Sequence, residues 1–359
     1  MLPNRGMLPN LEFESYKRLN KVTKDIKVDK RLTELTAWLT NTCQKTVQDI
    51  TQIAGDASFR RYFRVTLPDM SLIAMDAPTE KENSHPFVAI AEAFANQGVI
   101  VPTILQQDLT NGFLLLTDFG DDLLLSALND ESVDGYYQQA IDELLLIQQC
   151  QHFPGYSLPI FDEHLIAQEL ALFPDWFLRK QLKLSLSPAL RDGLASAFAI
   201  ICAGFLAQPR LCVHRDYHSR NLMVLADGRL GVLDFQDAVI GPVSYDLVSL
   251  LKDCYIAWPR TKVEAWVKVY YDKALNAGIL TGVDFDEFLR WFDWVGIQRH
   301  IKVLGIFSRL HLRDGKPGYL EDIPLVMNYL LDGLQRFPEL APFYQLLQQE
   351  VLPAYQQEF

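Results

Sequence analysis

From about residue 48 to residue 119 the apolar positions alternate with polar ones, or run together in short stretches bounded by Gly, Pro and Asp. On that pattern DITQIAG, RYFRVTL, SLIAMDA and GFLLLTDF read as strands. One helical period interrupts them in PFVAIAEAFANQG, where Phe87, Ile90, Ala91 and Phe94 recur at helical spacing and Gly98 supplies the stop. After Asp121 long amphipathic helices take over, in SVDGYYQQAIDELLLIQQCQ, FDEHLIAQELALFPDWFLRKQL and DFDEFLRWFDWVGIQRHIKVLGIFSRL. The one strong strand signal in this half is NLMVLADGRLGVLDF, two apolar runs about the hairpin-forming pair Asp227-Gly228. The pattern predicts an α+β chain: a small β-rich lobe with a leading helix over residues 1–118, then a large helical lobe over 119–359 with one embedded hairpin.

Composition narrows the partners. The chain of 359 residues is 49% hydrophobic, enough to bury a core in each lobe. Against 33 Lys and Arg stand 45 Asp and Glu, and the net charge of −12 repels nucleic acid and anionic lipid. Neither nucleic acid nor membrane is expected as a partner, and a small anionic ligand would need local cations or a metal. Cys43, Cys150, Cys202, Cys212 and Cys254 are scattered without C-x-x-C spacing, which predicts reduced thiols in a cytoplasmic protein. The polar N-terminus lacks the apolar stretch of a signal peptide, and its repeated MLPN leaves the start open between Met1 and Met7. The longest uncharged run, Gly193–Pro209, is shorter than the roughly 20 residues of a spanning helix and reads as a buried one.

Candidate chemistry flanks the hairpin. VHRDYHSRNLMVL precedes it and VLDFQDA follows, so His214-Arg215-Asp216 with Asn221 fits H-R-D-x-x-x-x-N, and Asp234-Phe235 falls where a kinase metal carboxylate returns. Phosphoryl transfer needs a carboxylate to orient an acceptor hydroxyl and hard oxygen ligands for a divalent ion. Asp216 is then the base, and Asn221 and Asp234 hold Mg²⁺ against the phosphates of ATP. The other Asp-Phe-Gly, at Asp118, lies upstream of the base and is a decoy; Leu116, Thr117 and Asp118 suit a hinge whose backbone meets adenine, with Gly120 relieving the turn. Loop-capping roles for the three residues, and a zinc pair of His214 and His218, are the weaker readings, the latter lacking an H-E-x-x-H helix.

These segments resemble the aminoglycoside phosphotransferase and choline kinase superfamily, in which a second His follows the base as His218 does and Gln236 stands in place of the third-position Gly. The resemblance implies a protein-kinase-like, two-lobed fold. It also implies that Asp246, in GPVSYDLVSLLKD, bonds back to the catalytic loop, with His214 as further support; a helix N-terminal charge is the alternative for Asp246. GDASFRRYFRV, MDAPTEKENSHPFVAIA, LFPDWFL and GIQRHIKVLGIFSRLHLRDGKPGYL are similar to a narrower group, bacterial anomeric kinases of N-acetylmuramate and N-acetylglucosamine in cell-wall recycling. What this resemblance implies is an ATP- and Mg²⁺-dependent enzyme with a small amino-sugar acceptor, expected as a monomer. Kinases of aminoglycosides or other small molecules, and a non-catalytic nucleotide-binding scaffold, are the alternatives.

The scaffold reading is motivated by departures from the kinase pattern. The phosphate loop offers Gly55, Ser58, Arg60 and Arg64, with Arg61 on the opposite face by strand alternation, and no G-x-G-x-x-G. Asp76 stands where the V-A-I-K strand places its phosphate-binding lysine, and Glu92 on the next helix has lost that partner. For the acceptor the candidates are His218, Arg220, Asp237, Trp176, Arg299 and His300, although Trp176 and His300 also suit plain core positions.

Overall fold

The computed structural model describes residues 29–42, 46–53 and 59–359. Strands β1 (Asp49–Ile53), β2 (Arg61–Thr66), β3 (Ser71–Asp76), β4 (Ile104–Asp108) and β5 (Phe113–Thr117) form one antiparallel sheet in the order β1-β2-β3-β5-β4. Alternation decides which residues face which side. Phe63, Val65, Leu72, Ala74, Phe113 and Leu115 pack with Leu35 and Leu39 of helix α1 (Lys30–Thr42). Met75, Leu114 and Leu116 point the other way, into the core that holds Phe87, Ile90 and Phe94 of α2 (His85–Gln97). Because both faces of β5 are covered, its sequence FLLLT is a continuous apolar run. Helix α2 ends at Gly98, whose φ of +94° is a left-handed stop that glycine adopts without strain. Strand β4 is an addition to the expected set; its ILQQD is a mostly exposed edge with a bulge, so it carries too few apolar positions to alternate visibly.

In the second half α3 (Val133–Gln148) and α4 (Glu163–Leu172) precede α5 (Pro188–Leu206), followed by α6 (Tyr245–Leu251), α7 (Arg260–Asn276) and the thirty-residue α8 (Phe285–Asp314). Helix α4 runs on into a π-helical segment, Phe173–Gln181, where Pro174 removes a ladder donor. The close crossing of α8 over α4 depends on Gly305, since a Cβ there would stand 2.4 Å from the Leu172 backbone. Helix α5 holds the uncharged run and is long and apolar enough by composition to cross a membrane. The helix is buried along one face. Leu190, Leu194, Ala197, Ile201 and Phe205 are buried, and the opposite face exposes Arg191, Asp192, Ala195, Ser196, Ala199 and Ala203. Alanine adds little apolar area, so that face tolerates water while keeping the sequence uncharged.

The predicted hairpin is β7 (Leu222–Val224) and β8 (Leu230–Val232), with Gly228 at φ +81°. A second ribbon, β6 (Arg210–Val213) with β9 (Val239–Pro242), brackets it and was not expected, because its two short strands are distant in sequence and no turn pair joins them. This nesting positions the chemistry: residues 214–221 join β6 to β7 and residues 233–238 join β8 to β9, so two loops distant in sequence emerge side by side.

Candidate active site

The start of the loop after β6 is held by a buried carboxylate. Asp246, buried in the first turn of α6, accepts the backbone N–H of His214 at 2.6 Å and of Arg215 at 3.0 Å. Arg215 has φ +77°, a left-handed conformation costing a non-glycine residue about 1–3 kcal/mol, and it persists because its surroundings over-determine it. The Arg215 carbonyl accepts from Arg299 at 3.0 Å, and its guanidinium donates to Glu169 at 2.9 Å. His214 joins the two loops. Its Nε2–H donates to the Leu233 carbonyl at 2.9 Å, which leaves Nδ1 to accept the Asp216 N–H at 3.3 Å. Asn221 Nδ2 donates to the Asp216 carbonyl at 2.9 Å and lies 3.5 Å from Asp234, whose other oxygen accepts from Gln236 at 2.7 Å. Asp234 is itself left-handed, at φ +62°. The structure thus brings Asp216, Asn221 and Asp234 together.

Burial acts to raise the Asp216 carboxyl, but Lys302, Arg299, His218 and Arg215 outweigh it and hold the group well below the usual carboxylate range. Behind it lies a polar lattice: Glu169 accepts from Arg215 at 2.9 Å, Lys302 at 2.9 Å and Gln298 at 3.0 Å, and Lys302 also donates to the Tyr245 hydroxyl at 3.1 Å. Glu169 and Lys302 escaped sequence reasoning. Their signal was a charge set among apolar neighbours, Glu169 beside Leu170 in α4 and Lys302 between Ile301 and Val303 in α8.

Between the sheet and the hairpin lies a cleft of about 460 Å³, lined by Ile53, Tyr62, Ile73, Leu116 and Met223 and reaching Asn221 and Asp234. Aliphatic walls on two sides suit a flat heteroaromatic base. Leu116, Thr117 and Asp118 form one edge, and the Asp118 carboxylate accepts from Arg64 Nε at 2.7 Å and from the Gly120 N–H at 2.9 Å. Asp118 is therefore tied to the roof of the cleft. Arg64, which the sequence placed near phosphate, also bonds Asp121 at 2.9 Å and the Gly120 carbonyl at 3.0 Å, because the two carboxylates Asp118 and Asp121 both lie within reach of its guanidinium. Arg60 pairs with Glu82 at 3.0 Å, and Glu92 is exposed on α2. Gly55 and Ser58 lie outside the described residues. Asn221 and Asp234 supply hard oxygens, and among the described residues no cluster of three or more His, Cys, Asp or Glu occurs. That set fits Mg²⁺, which is commonly held by one or two protein oxygens together with substrate phosphates and water.

Asp76 has a structural role in place of the missing lysine. Fully buried, it accepts from Arg31 Nε of α1 at 2.8 Å and from Arg61 Nη2 at 2.5 Å, and Arg61 also pairs with Asp29. The carboxylate staples α1 to the sheet. Asp76→Lys would set a third cation against two arginines, so it should lower stability by about 3–5 kcal/mol, the usual result of breaking a buried ion pair. A urea midpoint equal to that of the unsubstituted chain would refute the staple.

The acceptor candidates separate. His218, two residues past Asp216, packs edge-on to Tyr255 at 5.4 Å, and Arg220 lies over the same ring at 3.7 Å. Asp237 is exposed and lines a cavity of about 410 Å³ with Arg60, Tyr156, Arg215 and Gln236. Arg299 supports the loop through the Arg215 carbonyl. Trp176 is half-buried on the π-helical segment, with Lys180 3.3 Å above its ring. His300 packs away from the loop, stacked on Tyr329 at 4.9 Å with its Nε2 3.3 Å from the Lys252 carbonyl. Burial and the Lys252 charge push it down to about 3, as befits a neutral core histidine.

Residues 49–282 match the phosphotransferase enzyme family. The chain is 42% identical over 329 residues to the N-acetylmuramate/N-acetylglucosamine kinase of Pseudomonas putida, covering 89% of this chain and 96% of the relative. It is 45% identical over 294 residues to the kinase of the same name from Pseudomonas aeruginosa, covering 82% and 86%. Among solved structures, choline kinase LicA from Streptococcus pneumoniae superposes with a TM-score of 0.58 at 14% identity, over 88% of this chain and 99% of that one. The ADP-bound aminoglycoside phosphotransferase APH(2'')-Ib gives 0.53 at 13% identity, over 89% and 98%. The fold is thus the two-lobed one of these kinases, and with a family match over residues 49–282 and relatives 42% and 45% identical over most of its length, the chain belongs to the phosphotransferase enzyme family.

Proposed function

We propose that this enzyme transfers the γ-phosphoryl group of ATP to the anomeric hydroxyl of N-acetylmuramate or N-acetylglucosamine, with Mg²⁺ held by Asn221 and Asp234. Asn221 and Asp234 lie at the inner end of a base-sized cleft, and Asn221 bonds the Asp216 carbonyl beside it, which carries the reaction class. The acceptor rests on the kinases that are 42% and 45% identical over most of the chain. When bound, the metal would neutralise the phosphate oxygens as charge moves to the leaving group.

The protein's own contribution is placement and charge. Asp216, held anionic by Lys302 and Arg299, accepts a hydrogen bond from the acceptor hydroxyl and aims its oxygen at the phosphorus. So weak a base takes the proton late, when the bond to phosphorus is already forming. A hemiacetal hydroxyl, more acidic than an ordinary alcohol, suits such a base. Asn221 fixes the Asp216 carbonyl, and Gln236 fixes Asp234, so both oxygen sets are oriented beforehand.

The test is a labelled-phosphate panel over both amino sugars, aminoglycosides and choline, with and without Mg²⁺. The two N-acetyl sugars should become phosphorylated at C1, with turnover that chelation abolishes. Preferential labelling of an aminoglycoside would overturn the acceptor, and absence of ADP formation with every acceptor would overturn catalysis.

A further inference from the structure

The arginines around the catalytic loop differ in how fully they are engaged. Arg215 is paired with Glu169, Arg64 with Asp118 and Asp121, and Arg60 with Glu82, while Arg299 is buried and donates to a carbonyl. Arg220 is exposed, and among the described residues no carboxylate lies within ion-pair distance of it. Asp322 feels its charge without forming a pair.

Arg220 is nevertheless held in place. Ser219 donates its N–H at 3.0 Å and its hydroxyl at 2.5 Å to Asp253, and Asn221 is bonded to the Asp216 carbonyl, so the backbone is fixed on both sides. The guanidinium carbon rests 3.7 Å from the Tyr255 centroid, which holds the group on the ring by cation–π attraction, and the side chain is otherwise exposed. Tyr255 belongs to an aromatic row, with His218 at 5.4 Å, Phe307 at 6.1 Å and Tyr319 5.1 Å beyond Phe307. His218 Nδ1 is buried without a hydrogen-bond partner among the described residues, a polar atom that a ligand hydroxyl would satisfy.

Resting on the sugar-kinase reading above, we propose that Arg220 receives the carboxylate of an anionic sugar acceptor and so distinguishes N-acetylmuramate, which carries a lactyl carboxylate, from neutral N-acetylglucosamine. A chain of net charge −12 repels an anion unless a local cation offsets the field. A planar guanidinium already oriented on an aromatic face meets a carboxylate through paired N–H bonds, which an ammonium cannot reproduce. Asp216 and Arg220 lie on the one short loop between β6 and β7, so a sugar received at the first is bound next to the segment that carries the second.

The experiment measures kcat/KM for both sugars in wild type, Arg220→Ala and Arg220→Lys, with thermal midpoints as a folding control. In Arg220→Ala the ratio of N-acetylmuramate to N-acetylglucosamine should fall roughly 10- to 100-fold, the size of one charge-assisted hydrogen-bonded pair, mostly through KM. Arg220→Lys should fall in between and keeps the test open if the alanine variant misfolds. A ratio within about twofold of wild type in the folded variants overturns the assignment even where both activities drop. A wild-type enzyme that phosphorylates neither sugar overturns the functional reading and this assignment with it.

Discussion

Asp216→Ala should lower kcat by about 10²–10⁴, the range expected when a positioned general base is removed. Nucleotide affinity should change little, because the aliphatic walls of the cleft come from other residues. Asp216→Asn separates the two things the side chain does. It keeps the shape and the possibility of a hydrogen bond but loses the charge that Lys302 and Arg299 stabilise. Equal losses in the two variants would mean that the anion matters; a much milder loss in the asparagine variant would mean that orientation dominates. Since those cations hold the carboxyl well below the usual range, Asp216 stays ionised down to acidic pH and should not set the acid limb of the rate profile. Turnover of Asp216→Ala within a few-fold of wild type would remove this residue from the reaction.

Much of this arrangement was legible in the sequence, for physical reasons that particular residues make plain. Order along the chain was the ground for setting Asp118 aside, since the kinase pattern puts the metal carboxylate one short hairpin after the base, and in the structure Asp118 is paired with Arg64. The Asp246 bonds to the His214 and Arg215 amides agree with the expectation for that helix. Strand β5, packed on both faces, was visible as an apolar run, whereas β4, with an exposed Leu-Gln-Gln centre, was not. What escaped was pairing between distant charges. Nothing local to SLIAMDA announces that Asp76 meets Arg31 and Arg61, and nothing near Arg64 says that it turns to the hinge. Such partners lie 15 to 54 residues apart, beyond any periodicity, and only the order of the strands and the docking of α1 on the sheet bring them together. For the same reason Arg299 reads as a ligand contact in the sequence and acts on the loop backbone in the fold.

The second large effect is expected at Asp246, which never touches a substrate. Removing its carboxylate in Asp246→Ala leaves the buried N–H groups of His214 and Arg215 without acceptors, at about 1–3 kcal/mol each. It also releases the left-handed Arg215, whose strain of about 1–3 kcal/mol then favours relaxation of the turn that aims Asp216. Turnover should fall by about 10²–10³, equivalent to about 2.7–4 kcal/mol in the barrier, with a smaller loss in Asp246→Asn, which retains one acceptor oxygen. Burial raises this carboxyl to about 6, opposed by the neighbouring His214 imidazole and by the two N–H bonds. The sign follows: above pH 6 the carboxylate accepts both amides, and as pH falls through 6 protonation withdraws an acceptor and loosens the loop. Wild-type kcat should therefore decline on the acid side near pH 6, while Asp246→Asn, slower throughout, should be level across that interval. A limb that persists at pH 6 in the asparagine variant would assign the titration to another group and leave Asp246 as a fixed support only.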